Sequence, residues 1–322
     1  MPVMQADPPS VCPLCKMQHP VSLHEAHEDS GVRYDLYECE ACRVQFWWPL
    51  KNPGATWYEH DIRYEGRNHD PILTPNEKHR GTISYFAPNH GTVLDVGCGV
   101  GNFLAHAAQK GWNVSGIDFD HDGIEAAKKT FGLKDLEVAD VIEYKKRHPE
   151  KSFDLVTFFD VLEHIDNHNE FIETVKSLLV TDGYISLSMP YRHAWRWLIP
   201  ADLPPRHLTR WDDASVEKFL SDRGFAVRHI VHLPASFYFI VVKLRFSRYG
   251  RFFTFGAVRK AKESAAHQGV AVPGRSIKVR TIHALAKVKD IMLFGIPAGV
   301  IWLLLLPSQG RYTDFYVIAQ KV

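Results

Sequence analysis

The sequence predicts an α/β protein: a doubly wound, mostly parallel seven-stranded sheet. A small cysteine-bearing module precedes the sheet, and a helical, apolar insertion interrupts it before its last strand. Three observations carry this. Residues 91–233 alternate apolar runs with amphipathic stretches, the rhythm of parallel strands with helices on both faces. Two Cys-x-x-Cys pairs fall within the first fifty residues. A charge-free run at 291–307 precedes a final strand-like segment, DFYVIAQKV.

The chain has 322 residues, is 45% hydrophobic and 23% charged, and carries a net charge of +1. That is enough to bury a sizeable core in one large domain with an appendage. The near-neutral charge argues against a nucleic-acid binder that works through bulk charge, so no nucleic-acid partner is expected. The first thirty residues hold no apolar stretch of the secretory kind, so the expected compartment is the reducing cytoplasm.

Taken in order, TVLDVGCG reads as a strand and NFLAHAAQKG as its helix. NVSGIDFD and GIEAAKKTFG repeat the pair, and LEVADV is a short third strand. FDLVTFFDVLEHI is the fourth strand, with EFIETVKSLLV as the helix after it. GYISLSMP is the fifth strand, DDASVEKFLSDRG a helix and FAVRHIVHL the sixth strand. The expected division is a module at 1–50 and a helical approach at 51–90, with a helix in EKHRGTISYF. The main domain follows at 91–322, with its insertion at about 236–307.

The central motif is VLDVGCGVGNF, residues 93–103. A strand runs into glycines that permit a sharp turn and close ligand approach, and then into a helix start that favours anionic groups. A dinucleotide fingerprint wants Gly-x-Gly-x-x-Gly. Here Gly97, Gly99 and Gly101 give Gly-x-Gly-x-Gly, with Asp95 two residues ahead. A carboxylate there would repel a pyrophosphate and suit a sulfonium cofactor that carries an ammonium group. Asp118 ends the second strand where it can accept from two ribose hydroxyls. Asp140 follows the third strand, where an adenine amine can donate to it.

These motifs, in this order, resemble those of class I S-adenosylmethionine-dependent methyltransferases, with their Rossmann-like sheet. The resemblance covers roughly residues 80–233. It implies S-adenosylmethionine as cofactor, held by Asp95, Gly97, Gly99, Gly101, Asp118, Phe119, Asp140, Val141 and Asp160.

Cys12, Cys15, Cys39 and Cys42 form two knuckles, enough to give one Zn²⁺ four thiolates. With no open position on the ion, such a zinc is structural. YDLYEC and VQFWWP alternate like the strands of a hairpin, and the whole reads as a zinc ribbon. Cys98, inside the glycine-rich segment, faces the cofactor turn in this reading and is not a ligand. Some bacterial methyltransferases carry such a ribbon. The Thr-His-Gly-Gly-Ser-like motif of their sugar C-methylating members does not occur here.

Methyl transfer needs acceptor and methyl aligned, and an oxygen acceptor must lose a proton. His164, after the fourth strand, and His207, after the fifth, are the candidate catalytic residues among eighteen histidines. The run Asp160-Val161-Leu162-Glu163-His164 also resembles the metal-binding segment of ubiquinone-biosynthesis O-methyltransferases. That likeness implies a less favoured alternative, Mg²⁺ on Asp160, Glu163 and His164.

The run at 291–307 sits at the low limit for spanning a bilayer. A single crossing would separate the last strand from its sheet, so a buried helix, a re-entrant hairpin or a surface-lying helix is expected. Aromatics interleaved with Lys243, Arg245, Arg248 and Arg251 suit peripheral contact with an anionic membrane, and a cap or dimer interface is the alternative. The expected activity is O-methylation of a small-molecule, glycan or lipid-linked acceptor. C- or N-methylation of a sugar or natural product, or RNA modification, are the alternatives, and oligomeric state is not legible.

Overall fold

The structure, a computed structural model, describes residues 4–18, 20–54, 57, 76–87, 91–199, 202–247 and 277–322. Most of the 51–90 approach and the residues Arg248 and Arg251 lie outside the described residues.

The first strands form a five-stranded sheet: β1 (Met4–Gln5), β2 (Val21–Asp29), β3 (Val32–Glu38), β4 (Gln45–Trp48) and a late strand, β10 (Thr209–Arg210). The hairpin read from the cysteine spacer is present, with β3 antiparallel to β4. Its other neighbour, β2, turns back at Ser30-Gly31, where both residues have positive φ. β10 was not foreseen: it pairs antiparallel with β4, and Trp47 N–H donates to the Leu208 carbonyl at 2.8 Å.

Helix α1 (Glu77–Phe86) precedes the large sheet, and Asn76 caps it. Then follow β5 (Thr92–Val96), α2 (Asn102–Gln109), β6 (Asn113–Asp118), α3 (His121–Phe131), β7 (Leu136–Val138), α4 (Val141–Arg147) and β8 (Phe153–Phe159). After a 3₁₀ turn at Leu162–His164 come α5 (His168–Ser177), β9 (Leu179–Pro190), α6 (Asp213–Ser221) and β11 (Phe225–Pro234). The chain closes on β12 (Tyr312–Lys321).

The strand order is β11-β12-β9-β8-β5-β6-β7. β5 pairs in parallel with both β6 and β8, and β12 runs antiparallel to β9. The chain leaves β5 toward β6 and β7, then returns to its other side as β8. That reversal puts a crevice at the carboxyl ends of β5 and β8, where ligands bind in such sheets. Helices cover the central strands on both faces, so Val93, Leu94, Leu155 and Val156 are fully buried, and this explains the unbroken apolar runs. Capping fixes the helix ends: Asp120 caps α3 and Gly132 closes it in the left-handed conformation. One boundary moves. The helix expected over EFIETVKSLLV stops at Ser177, because Leu179 pairs with Phe153 and opens β9.

Two compact units separate: 1–193, 199–233 and 314–322 form one, 194–198 and 234–313 the other. In the second, α7 (Phe237–Phe246) packs on α8 (Ile277–Leu305). Arg245 meets Asp290 at 2.7 Å, while Phe237 lies beside Gly295 and Gly299, so the helices run antiparallel. Asp290, Phe294 and Ala298 form the buried stripe of α8. The rest of its apolar surface is open, with Met292 81% and Ile296 85% exposed. Val288–Leu305 is long and apolar enough to cross a membrane.

Candidate active site

The glycine turn joins β5 to α2. Gly97, Gly99 and Gly101 have φ of 75°, 51° and 75°, the left-handed region where a side chain is strained. Crowding reinforces this at Gly97, where a Cβ would meet the Val161 side chain at 2.7 Å. At Gly101 a Cβ would strike Leu133 and Ala127, so its glycine also lets α2 pack on its neighbours. Cys98 lines the smaller cavity described below, and its sulfur also lies 3.0 Å from where a Gly116 Cβ would stand, in the buried core cluster.

Asp118 braces the turn. One carboxylate oxygen accepts from Gly99 N–H at 2.7 Å and the other from Asp120 N–H at 2.8 Å. Asp95 is buried and accepts from the Thr157 hydroxyl at 2.7 Å. Burial, offset by Thr157 and reinforced by the Asp118 charge, pushes its pKa up to about 7. Asp140 caps α4, accepting from Glu143 N–H at 2.8 Å.

A cavity of about 840 Å³ lies at the carboxyl ends of β5, β6, β7 and β8. Gly97, Asp118, Phe119, Asp140, Val141, Asp160, His164 and His207 all line it. Asp95 and Gly99 line a smaller adjoining cavity of about 220 Å³ with Lys78 and His79; Gly97, Phe159 and Asp160 border both. Together they offer a groove the size of a small-molecule site.

Lys78, on α1, escaped the sequence reading, having no motif of its own. It forms an ion pair with Asp160, which also accepts from the Ser188 hydroxyl at 2.8 Å. Burial disfavours both charges, but each more than restores the other: the Lys78 pKa is raised and that of Asp160 lowered. The magnesium set of Asp160, Glu163 and His164 therefore does not fit. Asp160 is committed to an ammonium, which would repel the ion.

His164 and His207 come together, with ring centroids 4.8 Å apart. His164 Nδ1 donates to the Arg206 carbonyl at 2.6 Å, and His207 Nδ1 donates to Asp202 at 2.9 Å; both tautomers follow from these acceptors. Burial, and then the neighbouring His207, pushes the His164 pKa down to about 3, so its ring is neutral. Glu163 beside them is 1% exposed, and among the described residues neither carboxylate oxygen has a hydrogen-bond partner. Burial and the Asp160 charge hold its pKa well above the usual carboxylate range.

The ribbon reaches this site through β10. Arg210 stacks over Trp47 at 4.9 Å, pairs with Glu25 of β2 at 3.2 Å, and with Asp202 at 3.2 Å. Glu25, Arg210 and Asp202 thus link the first sheet to His207, a connection that no local pattern announces.

The four ribbon cysteines converge. Cys12–Cys42 and Cys15–Cys39 sulfurs stand 3.8 and 3.5 Å apart, all four lie within 4.8 Å of one another, and none is in a disulfide. A tetrahedral zinc with arms of about 2.3 Å has sulfur–sulfur edges of about 3.8 Å, so the donor set fits. The knuckles match: Lys16 N–H donates to Cys12 O and Arg43 N–H to Cys39 O, and both Lys16 and Arg43 have positive φ.

A family model described as a methyltransferase domain matches residues 74–230. Over these residues the chain is similar to a methyltransferase domain. The domain resembles ubiquinone biosynthesis O-methyltransferases of Actinobacillus pleuropneumoniae, 31% identical over 30% of this chain and 44% of that protein. It also resembles that of Paracidovorax citrulli, 31% identical over 40% and 56%. The chain thus spans about half the length of the curated relatives it matches. Among solved structures, coclaurine N-methyltransferase bound to N-methylheliamine and SAH superposes with a TM-score of 0.50 at 13% identity, covering 83% of this chain and 81% of that one. The S-adenosyl-L-methionine complex of Haemonchus contortus phosphoethanolamine N-methyltransferase 2 gives 0.50 at 18% identity, over 80% and 56%. These likenesses show the S-adenosylmethionine-dependent methyltransferase fold.

Proposed function

We propose that the protein transfers the methyl group of S-adenosylmethionine to an oxygen of a small-molecule, glycan or lipid-linked acceptor. One observation carries this reading: the Gly97–Asp118 side of the cavity and the His164–His207 pair face one continuous space. The cofactor would bind with its ribose at Asp118, its adenine near Phe119, Asp140 and Val141, and its ammonium toward Asp95. Asp118 would then exchange a backbone N–H for a ribose hydroxyl. The acceptor oxygen would stand against His164 and His207. Bound there, the cofactor would supply a methyl group to that oxygen in line with its carbon–sulfur bond, leaving a methyl ether and S-adenosylhomocysteine. The proton released from the acceptor would pass toward the imidazole pair, whose Nδ1 positions are already engaged.

The O-methyltransferase names of the relatives support oxygen over nitrogen or carbon as acceptor atom. Four converged thiolates support one structural Zn²⁺ in the ribbon. The open apolar surface of α8, with Lys243, Arg245 and Lys289 near its polar end, supports peripheral contact with an anionic membrane face. Incubating the protein with methyl-labelled cofactor and separated lipid, glycan and RNA fractions tests the whole. Label in the lipid or glycan fraction, released as a methyl ether, is expected. Label confined to RNA would overturn the acceptor class, and no binding of S-adenosylhomocysteine would overturn the activity.

A further inference from the structure

We propose that the ribbon supplies a positioning residue to the acceptor side of the active site: Glu25, on β2, acts through Arg210 and Asp202 to hold the His207 ring in one tautomer and one orientation. The consequence for catalysis rests on the proposed methyltransferase reading; the hold on His207 does not. The contacts run unbroken from β2 to the cavity. Both Glu25 oxygens accept from the terminal nitrogens of Arg210, at 3.2 and 3.4 Å. Arg210 Nε faces one Asp202 oxygen at 3.2 Å, and the other Asp202 oxygen accepts from His207 Nδ1 at 2.9 Å. His207 lines the large cavity.

Burial makes these contacts exacting. The Arg210 and Asp202 side chains are each 9% exposed, and a charge left unpaired at such depth is costly. The guanidinium is fixed by Glu25, by Asp202 and by the Trp47 ring 4.9 Å from it, and Nη2 also donates to the Asp202 carbonyl at 3.1 Å. An arginine grips a carboxylate best with two parallel bonds. Glu25 takes that grip and leaves only Nε for Asp202, so one Asp202 oxygen remains for His207. Without Glu25 the terminal nitrogens would turn to the Asp202 carboxylate and compete for both its oxygens, and His207 would lose its acceptor.

The ribbon is seated firmly enough to do this. Arg192 donates to the Arg43 carbonyl at 2.6 Å, just after the second knuckle, and Arg223 donates to the Leu14 carbonyl at 2.8 Å, inside the first. Leu208 ties the His207 segment on two sides: its N–H donates to the Glu163 carbonyl and its own carbonyl accepts from Trp47, at 2.7 and 2.8 Å. With the Nδ1 proton given to Asp202, the neutral ring carries its lone pair on Nε2, the nitrogen suited to take a proton from an acceptor oxygen. A ring that exchanges tautomers presents that lone pair only part of the time. The relay therefore acts on turnover and leaves cofactor binding alone.

The test is NMR of the full-length protein carrying ¹⁵N-labelled histidine, at about pH 9, where an ordinary imidazole is neutral. His207→Gln assigns the ring by its loss, and long-range proton–nitrogen correlations read its tautomer. Wild type should show the Nδ1–H form alone. Glu25→Ala should give a mixture of tautomers while binding S-adenosylhomocysteine as wild type does. Glu25→Gln, whose amide oxygen still holds one terminal nitrogen, should lie between. Glu25→Ala combined with Arg210→Met removes the competitor and should restore the Nδ1–H form, which simple loss of structure could not do. Glu28→Ala, exposed on the same strand, should match wild type. With labelled cofactor and the fraction that accepts the methyl, Glu25→Ala should lower turnover roughly 10-fold at unchanged cofactor KM, a part of what a positioned base contributes. A mixture already present in wild type, a Glu25→Ala ring identical to wild type, or a double variant that keeps the mixture would each overturn the relay. The expected tautomers in protein that binds no S-adenosylhomocysteine would overturn the methyltransferase reading and leave the hold on His207 in place.

Discussion

Replacing Asp118 with alanine removes the carboxylate that braces the glycine turn and faces the cavity. Two effects follow, and the structure separates them. Gly99 N–H and Asp120 N–H lose their acceptors at 2.7 and 2.8 Å. Each buried donor left unmade costs about 1–3 kcal/mol, so the melting temperature should fall. In the cofactor complex the same carboxylate would accept from ribose hydroxyls, each bond worth about 1.5–3 kcal/mol. Once water and the turn readjust, a net loss of about 1.4–2.8 kcal/mol remains, which is roughly 10- to 100-fold in affinity. Calorimetric titration of S-adenosylhomocysteine, run well below the variant's melt, reads the second effect by itself. Asp118→Asn keeps one acceptor and should fall between wild type and alanine in both measurements. A variant that melts lower but binds S-adenosylhomocysteine as well as wild type would show that Asp118 braces the turn and takes no part in cofactor binding.

Three further outcomes are expected. Elemental analysis should find one tightly held zinc per chain that Cys39→Ser releases, with disorder of the first sheet, since structural zinc supplies folding energy to a module too small for its own core; protein purified without chelator and free of zinc would contradict this. Asp95, with a folded pKa of about 7 against an ordinary 3.8, binds its proton more tightly folded than unfolded. Its favourable contribution is therefore complete below about pH 4 and lost as pH rises through 7, and Asp95→Asn should raise stability at pH 8 by up to about 4 kcal/mol while weakening S-adenosylhomocysteine; denaturant melts at pH 5 and 8 with equal gains would refute the shift. Anionic vesicles should co-sediment the protein better than neutral ones, with partial loss in salt, and Ile296→Asp with Leu304→Asp should abolish this without lowering the melt, because both side chains are exposed; a wild type indifferent to vesicles would end the membrane proposal.

The sequence by itself determined the elements whose causes are local. Parallel strands buried on both faces must be apolar throughout, so β5, β8 and β9 stand out as runs. Three glycines at positive φ cannot be replaced cheaply, so the turn is legible as Gly-x-Gly-x-Gly. Two Cys-x-x-Cys knuckles carry their geometry in their spacing, which is why four sulfurs could be expected together before any fold was known. Even the exchange between helix and strand at Leu179 was a matter of one boundary, set by a partner, Phe153, on another strand.

Only the tertiary structure decided which of those groups meet, and with what. Asp160 has a lysine partner supplied by a helix 82 residues away, which no spacing encodes and which argues against the alternative magnesium set. Gly101 also lets helices pack closely, since a Cβ there would meet Leu133 and Ala127, and a residue's neighbours across a fold are not written in its own segment. His164 and His207 were singled out separately among many histidines. Their contact, the buried Glu163 beside them, and the path from Glu25 through Arg210 to Asp202 depend on β10 leaving the large sheet's chain to join the first one. The physical reason is range. Backbone conformation and burial act on near neighbours in sequence, so they leave periodic marks. Charge pairing and ligand geometry act through space between single side chains, so they leave none until the chain has folded.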